Sequence, residues 1–412
     1  MRRVRGTEDK LDLHLYDFIL NQIKEHLNHY NFNHIQTPII EHTDLFIRSV
    51  GKETDIVSKE MYVFETSSGE SICLRPEGTA SVIRAYIENG IDDAPWKVFI
   101  HGPMFRHERP QKGRWRQFNQ LSFEVINTKS IAQDAHVLKM LDVLFTETFK
   151  LDTYILKLNF LGCFDDRNKH RDALKTFLET LGDQICATCQ TRKDKNTLRV
   201  FDCKNETCRQ LYVKAPKVTD HLCDTCAQEW QQLQDLLEML SVSYVIDSSL
   251  VRGLDYYNKT VFEFSSDDLG AQNAFCGGGR YSLGKNMGAR NDLPCVGAAI
   301  GMGRLLMLIE KNLNKLAPPP QQALHAIVPF TQEQISLALL IADNLQAQGL
   351  CTDVILDCGS ISKMMKKVHK LGAKNALIIG PDEQAQQAVS VKNMQKGDTT
   401  LVKQIDLANF LK

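Results

Sequence analysis

The sequence predicts a multidomain protein of mixed α/β and α+β class, with one large core split by an inserted region and followed by a small α/β domain. Three observations carry this expectation. Residues 166–244 differ in texture from their flanks, being charged and holding six of the twelve cysteines. Ala317-Pro318-Pro319-Pro320-Gln321-Gln322 is a linker, because successive prolines stay extended and donate no ladder hydrogen bonds. After it, helices alternate with short apolar strands, the pattern of a small α/β domain. The boundaries read as 1–165 and 245–317 for the core, 166–244 for the insertion, 318–322 for the linker and 323–412 for the last domain.

In order along the chain, Leu11, Leu15, Phe18, Ile19, Ile23 and Leu27 recur at helical spacing and predict an amphipathic first helix over 11–30. HIQTPIIEHTDLF reads as a short strand running into Pro38. KEMYVFET and ESICLRP flank the Ser67-Ser68-Gly69 turn as two strands. EGTASVIRAYIENG has helical periodicity and stops at Gly90. WKVFIHGPMFRHE and RQFNQLSFEVI are strands around a polar basic turn, and a helix from near Ala132 closes this first part. The insertion contains a helix over 228–240. Strand and glycine-rich signals return in SYVIDSSLVRGLDYYNKTVFEF and run through VGAAIGMGRLLMLIEKNL. Beyond the linker, HAIVPF, TDVILD and NALIIG are strands, with helices over 331–348, about 360–371 and about 405–411. No internal repeat is found.

Composition excludes several classes. Lys and Arg number 49 against 50 Asp and Glu, a net charge of -1, which argues against indiscriminate coating of nucleic acid. No window approaches the roughly 18 apolar residues of a membrane span. Residues 1–5 are basic, but Glu8, Asp9 and Asp12 stand where a signal peptide would be apolar. A cytoplasmic protein with no membrane partner is expected, its cysteines reduced.

Against this neutral background GPMFRHERPQKGRWRQFNQLSFEV, residues 102–125, concentrates Arg106, Arg109, Lys112, Arg114 and Arg116. Arg106 and Glu108 share parity on one strand; Gln120, Ser122 and Glu124 share it on the next, so each set lies on one sheet face. If the faces coincide, they form one pocket. A guanidinium beside carboxylates suits a zwitterionic ligand combined with phosphate. A polyanion-binding surface and a solvated hairpin with surface ion pairs are the alternatives.

RPEGT at 75–79, GPMFRHERPQKGRWRQFNQ at 102–120, LVRGLDYY at 250–257, GGGRY at 277–281 and GAAIGMGRL at 297–305 resemble, in order and approximate spacing, the motifs of the histidyl-tRNA synthetase family. The resemblance covers essentially the whole chain. It implies a class II synthetase antiparallel-sheet catalytic core with an inserted domain, then an α/β anticodon-binding domain. It also implies ATP as substrate, Mg²⁺, L-histidine and tRNA(His) as partners, and a homodimer formed through the segment around Pro38.

By this resemblance Arg106 contacts the ATP α-phosphate, with Arg252 opposite it and near the substrate carboxylate; these two are the catalytic residues. Glu108, Arg114 and Arg304 bind ATP. Glu77, Gly78, Thr79, Gln120, Glu124, Tyr256, Tyr257 and Tyr281 join the two arginines around histidine, Glu77 and Gln120 suiting its ammonium, Glu124 and a tyrosine its ring nitrogens. If extended, Tyr256 and Tyr257 point oppositely, and one of them packs instead. Arg252 could alternatively pair with Asp255, and Arg304 could cap locally. The family usually continues GGRY with aspartate; Ser282 here puts the ion pairing of Arg280 in doubt.

Cys186, Cys189, Cys223 and Cys226 form a CxxC…CxxC arrangement that can hold structural Zn²⁺, with Cys203 and Cys208 as substitutes; reduced cysteines without metal are the alternative. Lys363, Lys366, Lys367 and Lys370 recur at i, i+3, i+4 and i+7, either a solvated face or a stripe contacting tRNA phosphates. The rival to histidine–tRNA ligation is a synthetase-like regulatory subunit of histidine biosynthesis, disfavoured by Arg106, Arg252 and Arg304 together.

Overall fold

The computed structural model describes all 412 residues except Glu53, Asp93, Ala94, Asn196, Gly253, Asp255 and Ala271. The chain forms two compact units, Met1–Pro318 and Pro319–Lys412.

The first unit is built on an eight-stranded sheet. Its six central strands are antiparallel, in the order Trp96–Phe105, Gln117–Ile126, Pro294–Gly301, Ala274–Ser282, Tyr257–Ser265 and Ile155–Phe160. Asn33–His34 and Val245–Ile246 add short parallel edges. Strand alternation divides the chemistry between the faces. Leu121, Phe123 and Val125 pack with Phe262, Phe264 and Ile300 against the helices His14–His29, Ala132–Val143, Asp224–Met239 and Met302–Lys311. The intervening Gln120, Ser122 and Glu124 therefore face the other way, where Val261, Tyr281 and Cys295 form a second core with the helices Thr43–Val50 and Thr79–Glu88.

Several elements differ from their sequence reading. The first helix starts at His14 and leaves Leu11 exposed. HIQTPIIEHTDLF is not one strand: Pro38 separates Asn33–His34 from Ile40–His42, and Thr43 begins the helix Thr43–Val50. Ile40–His42 pairs instead with Ser71–Leu74, which pairs with Tyr62–Glu65 in a small three-stranded sheet. The helix Asp224–Met239, grouped with the insertion for its charged surface, buries Cys226, Trp230, Leu233 and Leu237 in the main core. The insertion's own core is small, gathered around Leu174, Leu178, Ile185, Val200 and Tyr212.

The second unit has a five-stranded sheet. Thr352–Val354, His325–Pro329 and Asn375–Ile379 are parallel, as expected of strands alternating with the helices Ile335–Ala347 and Ile361–Lys370. Ala388–Asn393 and Thr399–Lys403 extend it as an antiparallel hairpin. The sequence reading missed this hairpin, although alternation in AVSVKN and TTLVK flanks Gly397 in the left-handed region, φ 81°.

Arg280 does not need the aspartate missing at Ser282. Its Nε and Nη2 donate to Asp134, Nη1 donates to Thr128 O at 2.6 Å, and Nη2 also donates to Ser130 O at 2.7 Å. Both partners are buried. Removing one member of a buried pair strands the other charge. Asp134→Ala should therefore cost about 3–5 kcal/mol, read as a lowered denaturant midpoint of the first unit; an unchanged midpoint would show that Arg280 is satisfied without it.

Candidate active site

On the glycine-bearing face of the large sheet lies a cavity of ≈ 620 Å³. Its room comes from absent side chains. Gly297 stands opposite Glu124 in register, and a Cβ there would collide with the Glu124 carboxylate. A Cβ on Gly277 would lie 2.6 Å from Nη2 of Arg252.

One end of the cavity is a buried acceptor pocket. Glu124, 1% exposed, accepts hydrogen bonds from Thr79 Oγ1 and the Tyr281 hydroxyl, both at 2.7 Å. Glu77 is buried and accepts the backbone N–H groups of Thr79 at 2.7 Å and Ala80 at 2.8 Å, which caps the helix Thr79–Glu88. Burial pushes both carboxyl pKa values up, Glu124 to about 8, although the hydrogen bonds from Tyr281 and Thr79 pull it back. Among the described residues the buried Gln120 Oε1 has no hydrogen-bond partner. Tyr256 packs against Tyr257 at 4.6 Å and against Tyr281 at 5.2 Å between ring centroids. Tyr256 and Tyr257 thus share the cavity rather than pointing apart, because Tyr256 precedes the strand that begins at Tyr257.

Arginines line the same cavity, beside the carboxylates Glu108 and Glu263. Arg106 donates from Nε to Pro76 O at 2.9 Å and lies over the Phe118 ring, 5.3 Å from its centroid. Arg252 reaches it from a distant part of the chain and donates to Glu263 at 2.8 Å. Asp255, the local partner considered for Arg252, lies outside the described residues. Arg304, in the first turn of Met302–Lys311, donates to the carbonyls of Gly113 and Ala274 and, at 3.3 Å, to Gln272 Oε1. Burial, then the neighbouring Arg114, lowers the Arg304 pKa, so its charge is crowded. Arg114 pairs with Glu108.

The structure brings Glu77, Thr79, Arg106, Glu108, Arg114, Gln120, Glu124, Arg252, Tyr256, Tyr257, Tyr281 and Arg304 to this one cavity. Gly78 is not among its lining residues; it packs beneath, where a Cβ would meet Ile100 and Ser122. Sequence reasoning missed Glu263 and Gln272, which also line it. Glu263 could have been found from its period-two parity with Val261 and Tyr257, but only sheet pairing sets it opposite Gly277.

The cysteines are grouped differently from the expectation. Cys186 and Cys189 cluster with Cys203 and Cys208, whereas Cys223 and Cys226 cluster with Cys163 and Asp166. The set Cys186, Cys189, Cys223, Cys226 is therefore not one site: the second CxxC rides on the helix of the main core, the first on the insertion's own small core. In the second unit Lys363, Lys366 and Lys370 are exposed on Ile361–Lys370, while Lys367 pairs with Asp357 at 2.7 Å. Among the described residues no helix is long and apolar enough to cross a membrane.

An antiparallel sheet carrying an arginine hairpin, with carboxylates and arginines lining one cavity, is the core expected of a class II aminoacyl-tRNA synthetase. The family model described as histidyl-tRNA synthetase matches residues 13–305, and that described as anticodon binding domain matches 325–412. The histidine–tRNA ligase of Halothermothrix orenii is 40% identical, covering 99% of this chain and 97% of its own; that of Clostridioides difficile is 37% identical, covering 99% and 98%. The apo histidyl-tRNA synthetase of S. aureus superposes with a TM-score of 0.81 at 31% identity, covering 100% of this chain and 99% of that one. The chain belongs to the histidyl-tRNA synthetase family.

The Glu124 carboxyl supplies a pH test of the pocket. Its folded pKa of about 8 lies above the ordinary 4.5, so folding favours the protonated form. Its stabilising contribution is complete below pH 4.5 and is lost as pH rises through 8. In the ligand-free protein, Glu124→Gln should remove that part of the decline in unfolding midpoint across this window; parallel midpoint-against-pH curves for the two proteins would contradict it.

Proposed function

We propose that this chain ligates L-histidine to tRNA(His) in two steps. Histidine and ATP give histidyl-adenylate and pyrophosphate; a hydroxyl of the terminal adenosine of tRNA then takes the histidyl group and releases AMP. The observation that carries this reading is that Arg106 and Arg252, far apart in sequence, line the same cavity as Glu77, Gln120, Glu124 and Tyr281.

The acceptor pocket suits histidine. Glu77 and the buried Gln120 Oε1 receive the α-ammonium, while Glu124 and the tyrosine hydroxyls hydrogen-bond the imidazole nitrogens. An apolar amino acid of similar shape would leave these buried groups unpaired, which discriminates strongly. The substrate carboxylate is ionised at neutral pH, so adenylation needs no protein base. Arg106 and Arg252 stabilise the charge that develops as the carboxylate oxygen attacks the α-phosphorus and pyrophosphate departs in line. Arg304 exchanges carbonyl acceptors for the distal phosphates, and Arg114 with Glu108 orients the nucleotide. Glu108 and Glu263 offer the hard oxygen donors that Mg²⁺ takes; Mg²⁺ arriving with ATP would neutralise phosphate charge.

The C-terminal unit binds the anticodon arm, with Lys363, Lys366 and Lys370 on phosphates. The small three-stranded sheet supports a homodimer, since Ile40, Val63 and Phe64 are each about half exposed on it. A cytoplasmic location fits this work.

Histidine-dependent exchange of pyrophosphate into ATP tests the assignment; a folded sample without exchange would favour a synthetase-like binding protein instead. Arg252→Ala should slow adenylate formation roughly 100–1,000-fold, the effect of losing one transition-state donor, with the fold kept; near-unchanged single-turnover activation would remove Arg252 from the mechanism. Neutralising Lys363, Lys366 and Lys370 together should weaken tRNA binding and flatten its salt dependence by roughly 0.7–0.9 in slope per lost phosphate contact. Unchanged affinity and slope would return these lysines to the solvent.

A further inference from the structure

The insertion contains a group of side chains that aminoacylation does not use. Cys186, Cys189, Cys203 and Cys208 bring their sulfur atoms within 4.8 Å of one another, and Cys189, Cys203 and Cys208 are buried. We propose that these four cysteines hold one structural Zn²⁺ ion.

Four features point to a single tetrahedral ion. The Cys186 and Cys203 sulfurs are 3.7 Å apart, far beyond a disulfide. That spacing matches the edge of a thiolate tetrahedron around zinc, roughly 3.8 Å for Zn–S bonds near 2.3 Å. An iron–sulfur cluster spreads its cysteines over several irons and would set them wider. Next, the backbone donates to the sulfurs: Cys186 N–H to Cys208 Sγ at 3.3 Å and Asn205 N–H to Cys203 Sγ at 3.4 Å. These N–H groups stabilise the thiolates that metal binding requires. Asn205 also caps the helix Glu206–Tyr212 through Oδ1, accepting from Thr207 N and Cys208 N, which positions Cys208.

The third feature is a buried donor aimed at the cluster. The Tyr212 hydroxyl is buried and turned toward the Cys189 thiol. A zinc-bound thiolate at Cys189 would accept from it more strongly than a thiol does. The fourth is mechanical. The sulfurs join segments too short to be stable alone: Ala187–Lys195 has nine residues, Thr197–Asp202 six and Glu206–Tyr212 seven. They share only a small apolar core, and such scaffolds commonly need a metal or disulfide clamp. Four thiolates leave no open coordination position, so the ion would hold structure rather than catalyse.

The second cluster is a contrast within the same molecule. Both oxygens of Asp166 are committed, accepting Cys163 N–H at 3.2 Å and Cys223 N–H at 2.9 Å at the starts of Phe164–Leu181 and Asp224–Met239. It ties two helix starts together by hydrogen bonds and holds three thiols, not four.

Elemental analysis of full-length protein purified without a metal-binding tag should find about one zinc per chain. Zinc should be lost from the double variant Cys203→Ser/Cys208→Ser and kept in Cys223→Ser/Cys226→Ser. Because the first variant could fail to fold, wild-type protein stripped and reloaded with Co²⁺ provides a second reading, the intense visible and near-ultraviolet bands of a tetrahedral tetrathiolate. Wild-type protein that takes up neither metal, zinc that survives the first double substitution, or iron with inorganic sulfide in the purified protein would each overturn the proposal.

Discussion

The site depends on side chains that are absent. A carboxylate and a guanidinium can lie flat against this sheet only because Gly297 faces Glu124 and Gly277 lies beneath Arg252. Any Cβ at these two positions would occupy the volume of that carboxylate or guanidinium. The strands that carry these glycines are buried along nearly their whole length, so their opposite face must pack apolar residues such as Val296, Ile300 and Cys276 against helices. The same pleat supplies a tight core on one side and a cleft on the other.

Opposite charges then share that cleft. Burial raises the pKa values of Glu77 and Glu124, and each is tied to donors on fixed elements. Arg106, Arg252 and Arg304 each hold an acceptor supplied by the protein. Such preorganisation keeps the donors aimed at the site while no substrate is present, so little reorganisation accompanies reaction. It also gathers carboxylates and guanidinium groups within one cavity of ≈ 620 Å³.

Support outside the cavity follows the same logic of satisfied polar groups. Arg280, next to Tyr281, points to the opposite side of its strand and finds Asp134 and two carbonyls there, anchoring the strand that carries the pocket tyrosine. Arg75 in RPEGT donates to Thr37 and to Pro103 O, linking the Pro38 segment to the hairpin strand. Motif residues outside the cavity therefore hold in place the segments that line it.

Much of this was legible in the chain alone. Local spacing determined most of the first helix, the arginine hairpin, the parity of Gln120, Ser122 and Glu124, and the strand–helix alternation after the prolines, because each depends on residues close together in the chain. Tertiary structure decided what depends on pairing between distant segments: that Glu263 lies opposite Gly277, that Tyr256 and Tyr257 converge, that Arg280 finds Asp134, and that the two CxxC pairs go to different cores. Sequence spacing limits where a side chain can reach along its own helix or strand. Strand register and helix packing choose its neighbours, and those are set by burial summed over the whole unit.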